Sequence, residues 1–428
     1  MNNALTPEVR QRRLARRYAA ERRFRFYGMA AIGFSFFFLI VLFTSIIGRG
    51  WTAFFQAEMR LEVMMSADII DPDGSGDINK LYSADYSKLL REALYKRLDV
   101  DTSDRAARKD ANQLLSRNAD VVARDMVLAN PDIIGTTQIV SMVVESNVDA
   151  LLKGAFDRNL PQASRPINDR QLAWIDELVS AGELSQHFNV GLFTNGASSK
   201  PENAGLLVAL LGSLYMMLTV LLLAVPLGVA GAIYLEEFAP KNRWTDIIEV
   251  NINNLAAVPS IVYGLLGLGV FINIMGLPRS ASFVGGLVLT LMTLPTIIIA
   301  TRAAMAAVPG SIREGALGVG ASHMQAVFHF VLPLAVPGIL TGTIIGLVRA
   351  LGETAPLLMI GMVAFIMQPP HGPMEPATAL PIQIYMWATA AERGFAERTA
   401  GATIVLLLFS FIMNSFAIYL RRRFERRW

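Results

Sequence analysis

Arg349 and Glu353 stand four residues apart in 347-LVRALGETAP-356, inside the otherwise apolar run 333–365. An ionisable side chain at the centre of a membrane helix costs roughly 2.5–3.5 kcal/mol on insertion scales. Two of them so close call for an explanation. At i, i+4 on a helix they share a face and can pair. Arginine presents a planar fork that donates two parallel hydrogen bonds to an oxyanion and keeps its charge in an apolar site. A glutamate beside it would hold the fork and keep an anion from binding too tightly to leave. The same pair could instead fix helix packing without touching a ligand, and the residues leave both readings open. Gly338, Gly342 and Gly346, continued by Ala350, make a small-xxx-small ridge of the kind that brings helices close. Arg349, next to this ridge, is expected to face the bundle. Gly352 and Pro356 loosen the helix beyond it, as is common where backbone lines a cavity.

The elements that must carry this pair are membrane spans. The chain has 428 residues and is 53% hydrophobic. Runs near 20 apolar residues, enough at about 1.5 Å per residue to cross a core of about 30 Å, fall at 27–47, 205–234, 252–275, 283–303, 333–352 and 402–420. A short extra helix is expected near 356–367. The first run is too long for a signal-peptide core and no small-residue cleavage site follows it, so it is expected to remain as an anchor. Cysteine is absent, which excludes disulfide, zinc-thiolate and thiol chemistry.

Charge sets the orientation. Eight arginines crowd the first 26 residues and five the tail 421–428, whereas 49–203 carries 17 basic against 23 acidic residues. Basic segments that flank spans stay on the cytoplasmic side, and this reading needs no nucleic-acid partner. The expected plan is a basic cytoplasmic N-terminus (1–26), a first transmembrane helix (27–47), a periplasmic domain (48–203), and a permease-like transmembrane domain (204–420). That last domain holds a cytoplasmic loop at 303–332, and a basic cytoplasmic tail (421–428) follows it. Six spans then place both termini inside, in the cell's inner membrane.

The domain between the first and second spans reads as mixed α and β. Helical spacing is clear in 83–98, in 104–131 behind an Asp104 cap, and in 168–184. MRLEVMM and HFNVGLF read as strands. The stretch 71-DPDGSGDINKLY-82 matches the first nine positions of a calcium-binding EF-hand loop. Tyr82 replaces the bidentate acid required at the twelfth, so a turn is the better reading.

In the cytoplasmic loop, 313-REGALGVGASHMQAVFHFVLP-333, a short helix should run to about Leu317. Gly318 and Gly320 break it, and a second helix starts near Ser322. Small residues leave backbone open for docking into a partner's groove, and Glu314 supplies a charge for a basic group. This stretch resembles the signature of ABC-importer permease subunits: E-A-A, three residues, G, nine residues, I, one residue, L-P. Glu314, Gly315, Ala316, Gly320, Phe330, Leu332 and Pro333 keep the full spacing, with Gly315 for alanine and Phe330 for isoleucine. The resemblance implies that the loop is a coupling helix seated in an ATP-binding subunit, with Glu314, Gly315, Ala316 and Gly320 as its contacts.

A second resemblance covers most of 204–367. The stretches 206–240, 257–269, 294–299 and 348–358 are similar to PstA-type permease subunits of phosphate importers, in an extended form with a long insertion after the first span. It implies an all-α type I importer permease fold of six transmembrane helices with the mixed α/β periplasmic domain inserted. It also implies a dimeric ATP-binding cassette partner, a second homologous permease subunit, a periplasmic phosphate-binding protein and contact with membrane lipid. Arg349 and Glu353 then belong to the substrate pathway. Sulfate or molybdate is the alternative substrate, and a membrane-anchored periplasmic sensor the alternative class. No GxxxxGK[ST] occurs, no nucleophile–base set stands out, and His323 and His329, six apart, share no helix face for a metal. The chain is therefore expected to be no enzyme, to bind no cofactor, and to draw its energy from the partner.

Overall fold

The computed structural model describes residues 7–424 of the chain. Helix α1 (Pro7–Gly50) is continuous, so the arginine-rich stretch and the first apolar run share one rod. A single turn, Trp51–Phe54, then leads into the mixed domain.

That domain contains β1 (Phe55–Met64), α2 (Tyr86–Arg97), α3 (Ala119–Ala129), β2 (Thr137–Val143), α4 (Ser146–Leu152), α5 (Asp169–Ser180) and β3 (Leu184–Phe188), besides shorter turns of helix. The sheet is antiparallel in the order β2–β1–β3, with Glu58 opposite both Val143 and Ser185. Along β1, Ala57, Met59, Leu61 and Val63 are buried while Arg60, Glu62 and Met64 are exposed, the period-two pattern of a strand with one covered face. Leu90, Leu94, Leu114, Ile175 and Leu178 complete the core. Each such side chain contributes about 1.5–3 kcal/mol on burial.

The helix expected over 104–131 is two helices, Arg105–Asn112 and α3. Leu114 between them is fully buried, and Leu115 bridges to Val144 beside β2. Burying Leu114 and pairing Leu115 with Val144 outweigh continuing the helix. β2 was not legible as a strand, and the HFNVGLF strand ends at Phe188, with Gly191–Thr194 turning helical. In the 71–82 loop, Asp71 accepts from the amides of Gly76 (2.7 Å) and Ser75 (3.0 Å), and Asp73 pairs with Lys80 (2.7 Å). The Gly76 amide, more than the Ser75 contacts, holds the Asp71 carboxyl below the usual carboxylate range. Its oxygens serve the turn.

Past the domain run α6 (Leu207–Ile233), α7 (Arg243–Ala256), α8 (Ser260–Leu266, continued as π-helix through Ile274), α9 (Ser282–Ala306), α10 (Gly310–Gly318), α11 (Leu332–Gly352) and α12 (Gly394–Phe424). Among the described residues, five helices are long and apolar enough to cross a membrane: α1, α6, α9, the rod from His323 through α11, and α12. The run 252–275 is not one straight helix. α7 and α8 meet at 105° and make a sixth span only if counted together. Pro259 sits at the break, where a residue without an N–H disfavours helix in its predecessor. The extra helix expected at 356–367 is shorter, Ala355–Met359.

The packing of α9 between α6 and α11 forms the centre of the bundle. A Cβ on Gly228 of α6 would stand 2.8 Å from Ile297, and one on Gly338 of α11 2.6 Å from the Ala304 Cβ. A Cβ on Gly342 would overlap that of Ala300. The glycine ridge of α11 is thus a contact surface for α9, at a spacing no larger residue permits.

Candidate functional site

Helix α11 delivers Arg349 to its last turn. The ridge residues Gly342, Gly346 and Ala350 are buried against the bundle, but the Arg349 side chain is 51% exposed, on the same open face as Ile345. The expectation that it faces this chain's own bundle is therefore corrected: a helix turns 100° per residue, so a neighbour of the ridge need not share its direction. The chain leaves the helix at Glu353, whose backbone is extended (φ −76°, ψ 129°). Arg349 Nε and Glu353 Oε1 are 3.6 Å apart, with Glu353 20% exposed. That is an ion pair too long for a hydrogen bond. Among the described residues the Arg349 guanidinium makes no hydrogen bond, so its fork is open to an outside acceptor.

Beyond the pair, Pro356 packs on α8, where a Cβ on Gly264 would lie 2.7 Å from the Pro356 Cα. The irregular stretch after α11 is thereby held inside the bundle. Non-helical backbone at membrane depth is tolerated only in such surroundings or beside a cavity.

The loop residues sit at the other end of α11. Helix α10 ends at Gly318, Gly320 adopts φ +90°, and Ser322 opens the next helix with a capping box to Gln325. A positive φ of this size demands glycine. Glu314, Gly315 and Gly320 are exposed, and a Cβ on Gly315, Gly318 or Gly320 would meet nothing within 4 Å. Leu317, Val319 and Met324 are exposed beside them. Ala316 differs: it is buried, and anchors α10 rather than lining its outer face.

Sequence reasoning missed what holds this loop. Arg313 Nε and Nη2 approach Glu237 Oε1 at 3.0 and 2.6 Å. Its Nη1 donates to the Val308 carbonyl (2.8 Å) and its Nη2 to that of Met305 (2.9 Å). Arg302, in α9, reaches Glu236 (3.2 Å) and Glu249 (2.7 Å). The signal that was available is the EE pair at 236–237 just past one apolar run and the arginines at 302 and 313 just past another; nothing in it assigns partners.

A second polar cluster fastens the mixed domain to α12. Lys153 bridges Asp149 (2.6 Å) and Glu397 (2.9 Å), and Asp149 accepts from the Ala57 amide (2.9 Å). Arg398, buried, reaches the Glu202 carbonyl at 3.4 Å, and the Ser116 hydroxyl donates to Glu202 Oε1. Burial is the main cause that raises the carboxyls of Glu202 and Asp149 above the usual carboxylate range.

Comparisons with known proteins divide along the same line. Residues 11–162 match the model of a domain of unknown function (DUF3333), and residues 224–427 match that of the binding-protein-dependent transport system inner membrane component. The probable ABC transporter permease protein YqgI of Bacillus subtilis is 32% identical over 53% of this chain and 81% of its own. The phosphate transport system permease protein PstA 1 of Mycobacterium tuberculosis is 33% identical over 52% of this chain and 72% of its own. For PstA of Haemophilus influenzae the figures are 28%, 53% and 79%. Among solved structures, an inward-facing MetNI methionine ABC transporter overlays 51% of this chain and 97% of its own with a TM-score of 0.42 at 16% identity.

Proposed function

Because this chain belongs to the binding-protein-dependent transport inner-membrane components, as a PstA-type permease subunit of the ABC importers, we propose that it carries inorganic phosphate across the cell's inner membrane by alternating access. The observation that carries the substrate is the open guanidinium of Arg349, half-exposed at the end of a glycine-packed helix. Phosphate takes a bidentate fork well, and the similarity to PstA proteins supports phosphate among the oxyanions. Glu353, close but not hydrogen-bonded, tempers the site so that the anion can be released.

The open face of α11 is assigned to the pathway shared with a second, homologous permease subunit. A dimeric ATP-binding cassette subunit docks on α10 and the turn after it through Glu314, Gly315 and Gly320, with Ala316 supporting from beneath. A periplasmic phosphate-binding protein delivers substrate on the opposite side. The arginine-rich ends of α1 and α12 support cytoplasmic termini, and with them a periplasmic mixed domain.

Labelled phosphate uptake at low external phosphate tests the reading, in cells whose only copy is wild type or Arg349→Gln at matched membrane levels. A hydrogen bond to a charged group is worth about 1.5–3 kcal/mol, so uptake should fall about 10- to 100-fold. Unchanged uptake would reduce Arg349 to a packing residue. Uptake of labelled sulfate or molybdate in wild-type cells, with no phosphate transport, would replace the substrate and leave the permease.

A further inference from the structure

Both arms of the α10 loop are tied to one short segment that belongs to a different span. The segment is Tyr234–Phe238, the π-helical end of α6. From the incoming arm, Arg313 holds the Glu237 carboxylate through Nε and Nη2. From the outgoing arm, His323 Nε2 donates to the Glu237 carbonyl (2.8 Å), and its ring meets the Phe238 ring edge-on at 5.1 Å. Next to it Glu236 holds Arg302 of α9, which also holds Glu249 of α7.

The Arg313 guanidinium is nearly saturated. Beyond the carboxylate it caps the end of α9 through the Met305 and Val308 carbonyls. The Glu237 side chain is 5% exposed. A carboxylate that deep strongly resists losing its cation, so the pair cannot open and close cheaply as the loop moves. A lysine, as a point charge, could not serve carboxylate and carbonyls from one rigid fork.

We infer that Arg313 is the positioning residue through which movement of α10 is passed to α6 and α9. The inference rests on the permease reading above and deepens it. A displacement imposed on α10 is carried by the Arg313–Glu237 pair into the inner ends of two spans, while His323 takes the same segment along with the helix leading into α11. Glu314 and Gly320 are the residues assigned to the partner, whereas Arg313 directs its hydrogen bonds to this chain.

The test is phosphate imported per ATP hydrolysed, measured on the assembled transporter in proteoliposomes with its binding protein. The variants are Glu237→Gln, Arg313→Gln, the double variant and Arg313→Lys, with co-purification of the ATPase checked for each. Each glutamine variant should keep the ATPase bound and lower the transport ratio about tenfold or more, as expected for losing one charged contact. The double variant should be no worse than Arg313→Gln alone, and Arg313→Lys should recover part of the ratio. Glu237→Gln leaves the caps on Met305 and Val308 in place. A normal ratio in that variant would make Arg313 a helix cap only and overturn the inference. Additive losses would overturn it as well, since the two residues would then act separately. A wild type that moves sulfate or molybdate and no phosphate would sink the substrate reading alone, and the same ratio taken with that anion would test Arg313.

Discussion

Lys153 and Glu397 are 244 residues apart in the chain and 2.9 Å apart in space. The first lies at the end of α4 in the mixed domain, the second in the first turn of α12. The Lys153 side chain is 4% exposed and also holds Asp149, which in turn receives the Ala57 amide of β1. Close backbone contact surrounds this point: a Cβ on Gly394 would meet Pro201 at 2.9 Å, and one on Gly50 would meet Ala400 at 2.7 Å. The domain is thereby fixed to the last span. Lys153→Met should leave Asp149 buried without its cation, a loss of about 3–5 kcal/mol. Glu397→Gln keeps the Lys153–Asp149 pair and should cost about 1 kcal/mol or less. Thermal unfolding of the two variants in detergent checks the order; equal midpoints would show that the Lys153–Asp149 pair does not carry the larger share.

The same junction should respond to pH in an unusual direction. Burial raises the Glu202 carboxyl above its ordinary range, with Glu145 adding to the rise. Its own backbone amide, the Ser116 hydroxyl and Lys200 oppose it. Asp149 is raised by burial against Lys153. An acid whose folded pKa is raised binds its proton more tightly in the folded state. Its favourable share is full below the unfolded carboxylate pKa and is lost as pH rises through the folded one. Lowering the pH from about 7.5 to about 5 should therefore stabilise this junction. Glu202→Gln should flatten the profile, leaving the part that belongs to Asp149. A variant profile as steep as wild type would assign the whole dependence elsewhere.

Apolar length made the spans legible, and the glycine ridge of α11 announced its packing on Ala300 and Ala304. The spacing from Glu314 to Pro333 located the loop, and Ser322 its second helix. What stayed hidden depends on geometry between distant segments. The bend at Pro259 was masked because apolar residues continue across it, so a hydropathy window sees one run where α7 and α8 diverge. Leu114 and Leu115 fit a helical pattern, yet β2 supplies a better contact that local spacing does not encode. Arg302 and Arg313 have only Glu314 near them along the chain, and only the fold brings up Glu236, Glu249 and Glu237. Arg349 was placed by adjacency to the ridge, and one residue of helical rotation turned it outward.

Two glycines should answer differently to the same substitution. At Gly342 an added methyl group would overlap Ala300, with backbone-bound atoms on both sides and no flexible end to yield. Gly342→Ala should separate α9 from α11 and cost about 1–3 kcal/mol, as overpacking does. At Gly315 the added group meets open space, and alanine gains about 0.5–1 kcal/mol of helix propensity over glycine. Membrane level and melting temperature should fall in the first and hold or rise in the second. The reverse order would mean that the ridge is loose in the membrane.

Glu353→Gln separates the two readings of the Arg349 pair most sharply. The charges are 3.6 Å apart with half of Arg349 exposed, so as a structural link the pair is worth about 1 kcal/mol or less. Stability should hardly change. If phosphate passes Arg349, the carboxylate beside it repels the anion and keeps residence short. Removing that charge should lower the KM for phosphate uptake several-fold and lower the maximal rate with it, because release becomes slower. Arg349→Lys in the same assay should do the opposite, raising KM by losing the bidentate fork. A helix clamp would shift neither constant in this paired way: it would reduce the amount of assembled transporter and leave KM alone. The kinetic split, read at matched membrane levels, therefore decides whether this face of α11 meets substrate or only its neighbours.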